Sequence, residues 1–148
     1  MQVGKAMTHD VQIATPEQSI CDVARIMADC NVGSLPVGEK DRLVGMITDR
    51  DIAVRAVAQH LSPETKVRQI MTQDVKYCFE DEEISHVVHH IGDLQVHRMP
   101  VLNRDKRLVG ILSLADIATH QGPDIAGEAV CGILANAGLA QPGSSVHH

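Results

Sequence analysis

Leu43-Val-Gly-Met-Ile-Thr-Asp-Arg-Asp51 decides the reading of this chain, because it returns as Leu108-Val-Gly-Ile-Leu-Ser-Leu-Ala-Asp116. Each copy is an apolar run, then Thr or Ser, two spacers and an Asp. The run Leu43 to Ile47 is short and β-prone, which predicts a strand. The stretch that follows, Asp51-Ile-Ala-Val-Arg-Ala-Val-Ala-Gln59, is rich in Ala with apolar residues at helical spacing, which predicts a helix over 49–59. Thr48 and Asp51 therefore fall where a strand ends and a helix begins, and so do Ser113 and Asp116. Such a junction offers free backbone N–H groups and the positive end of the helix dipole, which suit a phosphate. The Thr or Ser adds a hydroxyl, and the Asp a carboxylate able to take both hydroxyls of a ribose. The plainer reading is that Thr48 and Ser113 only cap the helix.

Around these copies the chain repeats as far as residue 122. A shift of 64 lays Met7-Thr-His-Asp-Val11 on Met71-Thr-Gln-Asp-Val75, Ile20 on Ile84, Val23 on Val87 and Pro36-Val37 on Pro100-Val101. After one inserted residue the shift becomes 65, and Arg42-Leu-Val-Gly45 falls on Arg107-Leu-Val-Gly110. Each unit reads as β-α-β-β-α. In the first, Val11 to Ala14 is a short extended piece. Ser19 with Asp22 is a capping box opening a helix with Ile20, Val23, Ala24, Ile26 and Met27 on one face. Asn31-Val-Gly33 ends that helix. Ser34 to Val37 is a strand in which Pro36 points to an edge or a bulge, and Glu39 to Arg42 is a polar hairpin turn. Residues 1–60 form repeat one, 61–122 repeat two, and 123–148 a short helical tail with Ile125, Ala129, Val130, Ile133 and Leu134 on one face. A unit of this size buries too little surface to be secure alone. The expected fold is therefore mixed α/β (α+β), two repeats packed as a pseudo-twofold pair with two related clefts.

Composition narrows the function. The chain has 148 residues, 44% of them hydrophobic and 22% charged, with a formal charge of -6. That charge and the lack of a basic stripe argue against nucleic acid. The near absence of aromatics removes a base-stacking platform for single strands. No apolar run reaches the length of a membrane span, and no signal pattern opens the chain, so a cytoplasmic protein is expected. Cys21, Cys30, Cys78 and Cys131 form no C-x-x-C pair and read as buried apolar fillers. His86, His89 and His90 have metal-compatible spacing, but their counterparts Asp22, Arg25 and Ile26 are mostly solvent-facing types, so no metal is assigned. The acidic run Glu80 to Glu83 is expected to complement the helix N-terminus behind it. No nucleophile–base–orienter set and no P-loop is present, so no enzyme is expected.

The doubled Met-Thr lead-in, the apolar-x-x-Pro-Val strand, Arg-Leu-Val-Gly and Thr/Ser-x-x-Asp resemble the CBS-domain tandem, or Bateman module, over residues 4–122. The chain is similar to stand-alone bacterial proteins made only of this tandem. The resemblance implies regulatory binding of an adenosine ligand (AMP, ADP, ATP, NAD(H) or S-adenosylmethionine) without a metal. It also implies a homodimer, and an energy or redox signal passed to a separate effector protein. It gives Thr48 and Ser113 to phosphate, Asp51 and Asp116 to ribose, and Arg50 to phosphate. It adds Tyr77, Val96, His97 and Arg98 to the Asp51 cleft, and Thr8, Ile13, Val32 and Gly33 to the Asp116 cleft. Pro100, like Pro36, shapes its strand and meets ligand only through backbone. With Arg50, His97 and Arg98 against Ala115, Gly33 and Ser34, the Asp51 cleft is expected to take the more charged ligand. The alternative is a ligand-independent interaction scaffold with vestigial clefts.

Overall fold

The computed structural model describes residues 1–93, 98–121, 127 and 130. In chain order its elements are helix α1 (Val3–Ala6), helix α2 (Ile20–Cys30), strands β1 (Ser34–Glu39) and β2 (Arg42–Thr48), and helix α3 (Asp49–Asp51). There follow helix α4 (Val67–Ile70), strand β3 (Cys78–Phe79), helix α5 (Ile84–Asp93), strands β4 (Arg98–Leu102) and β5 (Leu108–Ser113), and helix α6 (Leu114–Gln121). They fall into two units. One holds residues 10–76 with 105–108; the other holds 1–9, 77–104 and the described residues from 109 on. The tail expected over 123–148 lies outside the described residues apart from Gly127 and Val130, and so does Cys131.

In the unit built on residues 10–76, Ser19 accepts a hydrogen bond from the Asp22 amide at 3.1 Å and starts α2. Asn31 stops it in the left-handed region, φ 54° and ψ 48°, a conformation Asn tolerates better than most side chains. Ile20, Val23 and Met27 are buried and Ile26 packs half-buried against them. Ala24, expected on that face, is exposed instead. A methyl group at the edge of the stripe has little to gain from burial.

Strands β1 and β2 pair antiparallel, with a register shift after Val37. The turn between them puts Lys40 and Asp41 at φ 53° and 63°, the double left-handed geometry whose twist matches a two-residue hairpin. The extended piece expected over Val11 to Ala14 shrinks to one parallel bridge, Ala14 to Val37. The Ala14 amide donates to the Pro36 carbonyl at 2.9 Å and the Gly38 amide to the Ala14 carbonyl at 2.8 Å. Pro36 has no N–H to carry the ladder further back along the chain. The helix expected over 49–59 also departs from a regular α-helix. After α3 it widens into a π-helix, Ile52–Ala56, and tightens into a 3-10 turn, Val57–Gln59.

The Met-Thr lead-ins close each sheet. Thr72 and Met46 exchange hydrogen bonds of 2.8 and 2.9 Å in this unit, as Thr8 and Ile111 do at 2.9 and 3.0 Å in the other. Both lead-ins run hard against the Gly of Arg-Leu-Val-Gly. A Cβ at Gly45 would lie 2.8 Å from both Met71 Sδ and the Thr72 carbonyl oxygen; at Gly110 it would lie 2.6 and 2.7 Å from their Met7 and Thr8 counterparts. Glycine is required there by space.

The second unit carries β3, β4 and β5 in that order, with β3 parallel to β4. Its core includes Val3, Ile84, Val87, Met99, Val101, Leu112 and Ile117, while Ile20, Val23, Leu35, Val37, Ile47 and Val67 anchor the core of the first. The acidic run before α5 is drawn into other contacts. Asp81 makes a bidentate pair with Arg104 at 2.7 and 2.8 Å, Glu82 accepts from the Phe79 amide, and Glu83 pairs with the amino terminus. Of the described cysteines, only Cys78 is a buried filler; Cys30 is exposed and Cys21 half-buried.

Candidate functional site

The two strand-to-helix junctions have the same local chemistry. At the first, β2 leaves Thr48 extended, φ -119° and ψ 161°, and α3 begins at the next residue. Thr48 Oγ1 accepts from the Asp51 amide at 3.0 Å, and Asp51 Oδ2 accepts from the Thr48 amide at 3.0 Å. At the second, Ser113 Oγ accepts from the Asp116 amide at 3.1 Å and Asp116 Oδ2 from the Ser113 amide at 3.0 Å. These are reciprocal capping boxes, so the cap reading of Thr48 and Ser113 holds. The box also fixes each carboxylate. One oxygen is spent on the strand-end amide, and the other retains its acceptor capacity. The Asp51 side chain is 13% exposed, enough to be touched and too little to wander.

The free N–H groups expected at the first junction are not there. The Asp49 amide donates to the Gly33 carbonyl at 2.9 Å, the Arg50 amide to Asp49 Oδ1 at 2.7 Å, and the Asp51 amide to Thr48. Asp49, which the sequence reading passed over as a spacer, fills the place a phosphate was expected to take. It also sets a negative charge beside Arg50, offsetting the cation on which the charge preference partly rested. Leu114 stands at the matching place in the second junction and has no carboxylate to offer.

The remaining candidates divide between the units. Ile13, Val32 and Gly33 lie with Thr48, Arg50 and Asp51; Thr8, Tyr77, Arg98 and Pro100 lie with Ser113 and Asp116. Gly33 is packed against Asp49, whose Oδ2 would sit 2.9 Å from any Cβ there. Ile13 is 39% exposed beside Gly38. Tyr77 is exposed and meets the Phe79 ring edge-on, centroids 5.6 Å apart. Arg98 is exposed and Pro100 buried in β4. Val96 and His97 lie outside the described residues, as does the side chain of His90. Two residues at the first junction escaped the sequence reading. Thr72 is the partner of Met46 and the equivalent of Thr8, which the shift of 64 already signalled. Arg55 reaches Asp51 Oδ1 at 3.8 Å, a contact marked only by its spacing of four along the chain.

Elsewhere several charged groups are internally paired. Glu17 bonds Lys66 and Arg68, which hold its carboxyl below the usual range. The hydrogen bonds from Arg104 do the same for Asp81. Burial pushes the Cys78 thiol up to about 12, so it stays protonated. No group of three His, Cys, Asp or Glu among the described residues is placed to hold a metal. No described helix is long and apolar enough to cross a membrane.

Paired mixed α/β repeats, each ending in a boxed Asp, define the class. The CBS-domain family model matches residues 3–57 and 67–122, and the chain belongs to that family. CBS domain-containing protein YhcV of Bacillus subtilis is 34% identical over 119 residues, 80% of this chain and 84% of the relative. Hypoxic Response Protein I, solved with two coordinated zinc ions, superposes with a TM-score of 0.74 at 32% identity, covering 81% of this chain and 98% of that one. The CBS domain pair of MJ0100, solved in complex with 5′-methylthioadenosine and S-adenosyl-L-methionine, gives a TM-score of 0.72 at 31% identity, covering 82% and 96%.

Proposed function

We propose that this chain is a regulatory module that binds an adenosine ligand (AMP, ADP, ATP or NAD(H)) at its Thr48–Asp51 and Ser113–Asp116 junctions. It would pass an energy or redox state to a separate effector protein without turning the ligand over. The observation that carries this reading is the doubled capping box. It presents one immobilised carboxylate oxygen at each junction, in a family where a relative at 31% identity is solved with two adenosine compounds. Ribose hydroxyls are the donors such an oxygen suits. Tyr77, Val96, His97, Arg98 and Pro100 stay in the proposed ligand set through the family resemblance, with Thr8, Ile13, Val32 and Gly33. A ligand can shift the module only through unequal affinity for its states, so occupancy is the signal and a second copy or an effector the listener.

Thermal unfolding with AMP, ATP, NADH and S-adenosylmethionine tests the reading. A ligand at one hundred times its Kd adds about 2.7 kcal/mol. The scaffold alternative draws support from the internally satisfied amides of Asp49, Arg50 and Asp51, and silence from all four compounds would favour it.

A further inference from the structure

Asp51 is held from two sides. Its Oδ2 belongs to the capping box. Its Oδ1, the oxygen left for a ligand, faces Arg55 Nε at 3.8 Å, while Arg55 Nη1 donates to the Ile70 carbonyl at 3.2 Å. Ile70 is the last residue of α4. Two residues on, Thr72 pairs in both directions with Met46, two residues before Thr48. The contacts close a circuit from Asp51 through Arg55, Ile70, Thr72 and Met46 back to Thr48. Arg55 belongs to the π-helical stretch that starts immediately after Asp51, where the Val57 amide reaches back to the Ile52 carbonyl. A π-turn inside a helix is rare and is frequently found at functional sites. The second junction lacks this device. By the repeat, His120 stands where Arg55 does, and an imidazole has no guanidinium fork to span a carboxylate and a carbonyl.

We propose that Arg55 is a positioning residue: it aims the free oxygen of Asp51 at a ribose diol and couples that oxygen to the α4 segment, a property of the first junction alone. The proposal rests on the nucleotide reading. A carboxylate oxygen steadied by a guanidinium accepts from a hydroxyl with little reorganisation. Withdrawing the guanidinium frees the carboxylate and breaks its tie to Ile70. A purely structural arginine would staple the π-turn to α4 and care nothing for the sugar.

The test uses the full chain carrying Asp116→Ala, so that one junction is read. AMP and 2′,3′-dideoxy-AMP compete against a fluorescent adenine nucleotide, in this parent and with Arg55→Ala or Arg55→Lys added. Arg55→Ala is expected to weaken AMP about tenfold, the size of one charge-assisted hydrogen bond, and the dideoxy compound less than about twofold. Lysine keeps the charge but lacks the fork that spans Asp51 and Ile70, so it recovers only part of the loss. Amide exchange across 67–72 is expected to slow with AMP in the parent and not in Arg55→Ala. Equal losses for both compounds, no loss, or unchanged protection across 67–72 would each overturn the role of Arg55. A parent that binds no adenine nucleotide would overturn the nucleotide reading first and the proposal with it.

Discussion

Adding one methyl group at Gly110 is expected to unfold the second unit early. The new Cβ would lie 2.7 Å from the Thr8 carbonyl oxygen and 2.6 Å from Met7 Sδ. The sulfur is on a flexible arm, but Met7 is only 7% exposed and has little room to retreat. The oxygen is backbone, held by the Ile111 amide at 3.0 Å while the Thr8 amide holds Ile111 in return at 2.9 Å. Relief therefore means moving the lead-in off the strand. Overpacking of this kind costs about 1–3 kcal/mol, and weakening two ladder bonds adds about 1 kcal/mol in all, for about 2–4 kcal/mol. In a chain of this length that lowers Tm by roughly 5–15 °C. Gly45→Ala makes the same demand of Met71 and Thr72 in the first unit. Gly127→Ala is the control, since a Cβ there meets nothing within 4 Å among the described residues, and helix propensity makes it neutral or slightly stabilising. Equilibrium urea unfolding reads all three. A Gly110→Ala chain within about 0.5 kcal/mol of the parent would refute the close-approach argument.

Thr48→Val removes a box hydroxyl and should cost about 1 kcal/mol in urea unfolding; no change would mean the box is not formed in solution. Asn31→Gly should be neutral or stabilising, and Asn31→Val should cost about 1–2 kcal/mol, because only the first relaxes at positive φ. The Asp81 carboxyl is held low by Arg104, so its pairing is intact above the ordinary carboxylate range and is lost as pH falls through its depressed value. Arg104→Ala should move the Asp81 midpoint in a carboxyl NMR titration upward, and an unmoved midpoint would contradict the pairing. At pH 8, Cys30 should react with a thiol reagent in the native chain while Cys78, protonated up to about 12, does not.

Local patterns were legible where local chemistry decides. The Ser19 cap, the Asn31 stop, the Glu39–Arg42 turn and both Thr/Ser–Asp junctions follow from side chains that bond their own neighbourhood. What escaped the sequence depends on partners remote in the chain. Ala-rich Asp51 to Gln59 satisfies α and π windings alike, and the contact of Arg55 with Ile70 belongs to the packed unit. Pro36 signalled an irregular strand, yet only the fold shows that it cuts the Ala14 ladder to one bridge. Asp49 looked like a spacer because nothing local says that Gly33 will lie against it. Which sheet each Met-Thr lead-in closes is likewise a tertiary choice.

Isothermal titration of AMP into the full chain and its Asp51→Ala, Asp116→Ala and doubly substituted forms reaches the heart of the account. Two sites in the parent, one in each single variant and none in the double variant are predicted. Undiminished binding by the double variant, with heat and stoichiometry like the parent's, would contradict it.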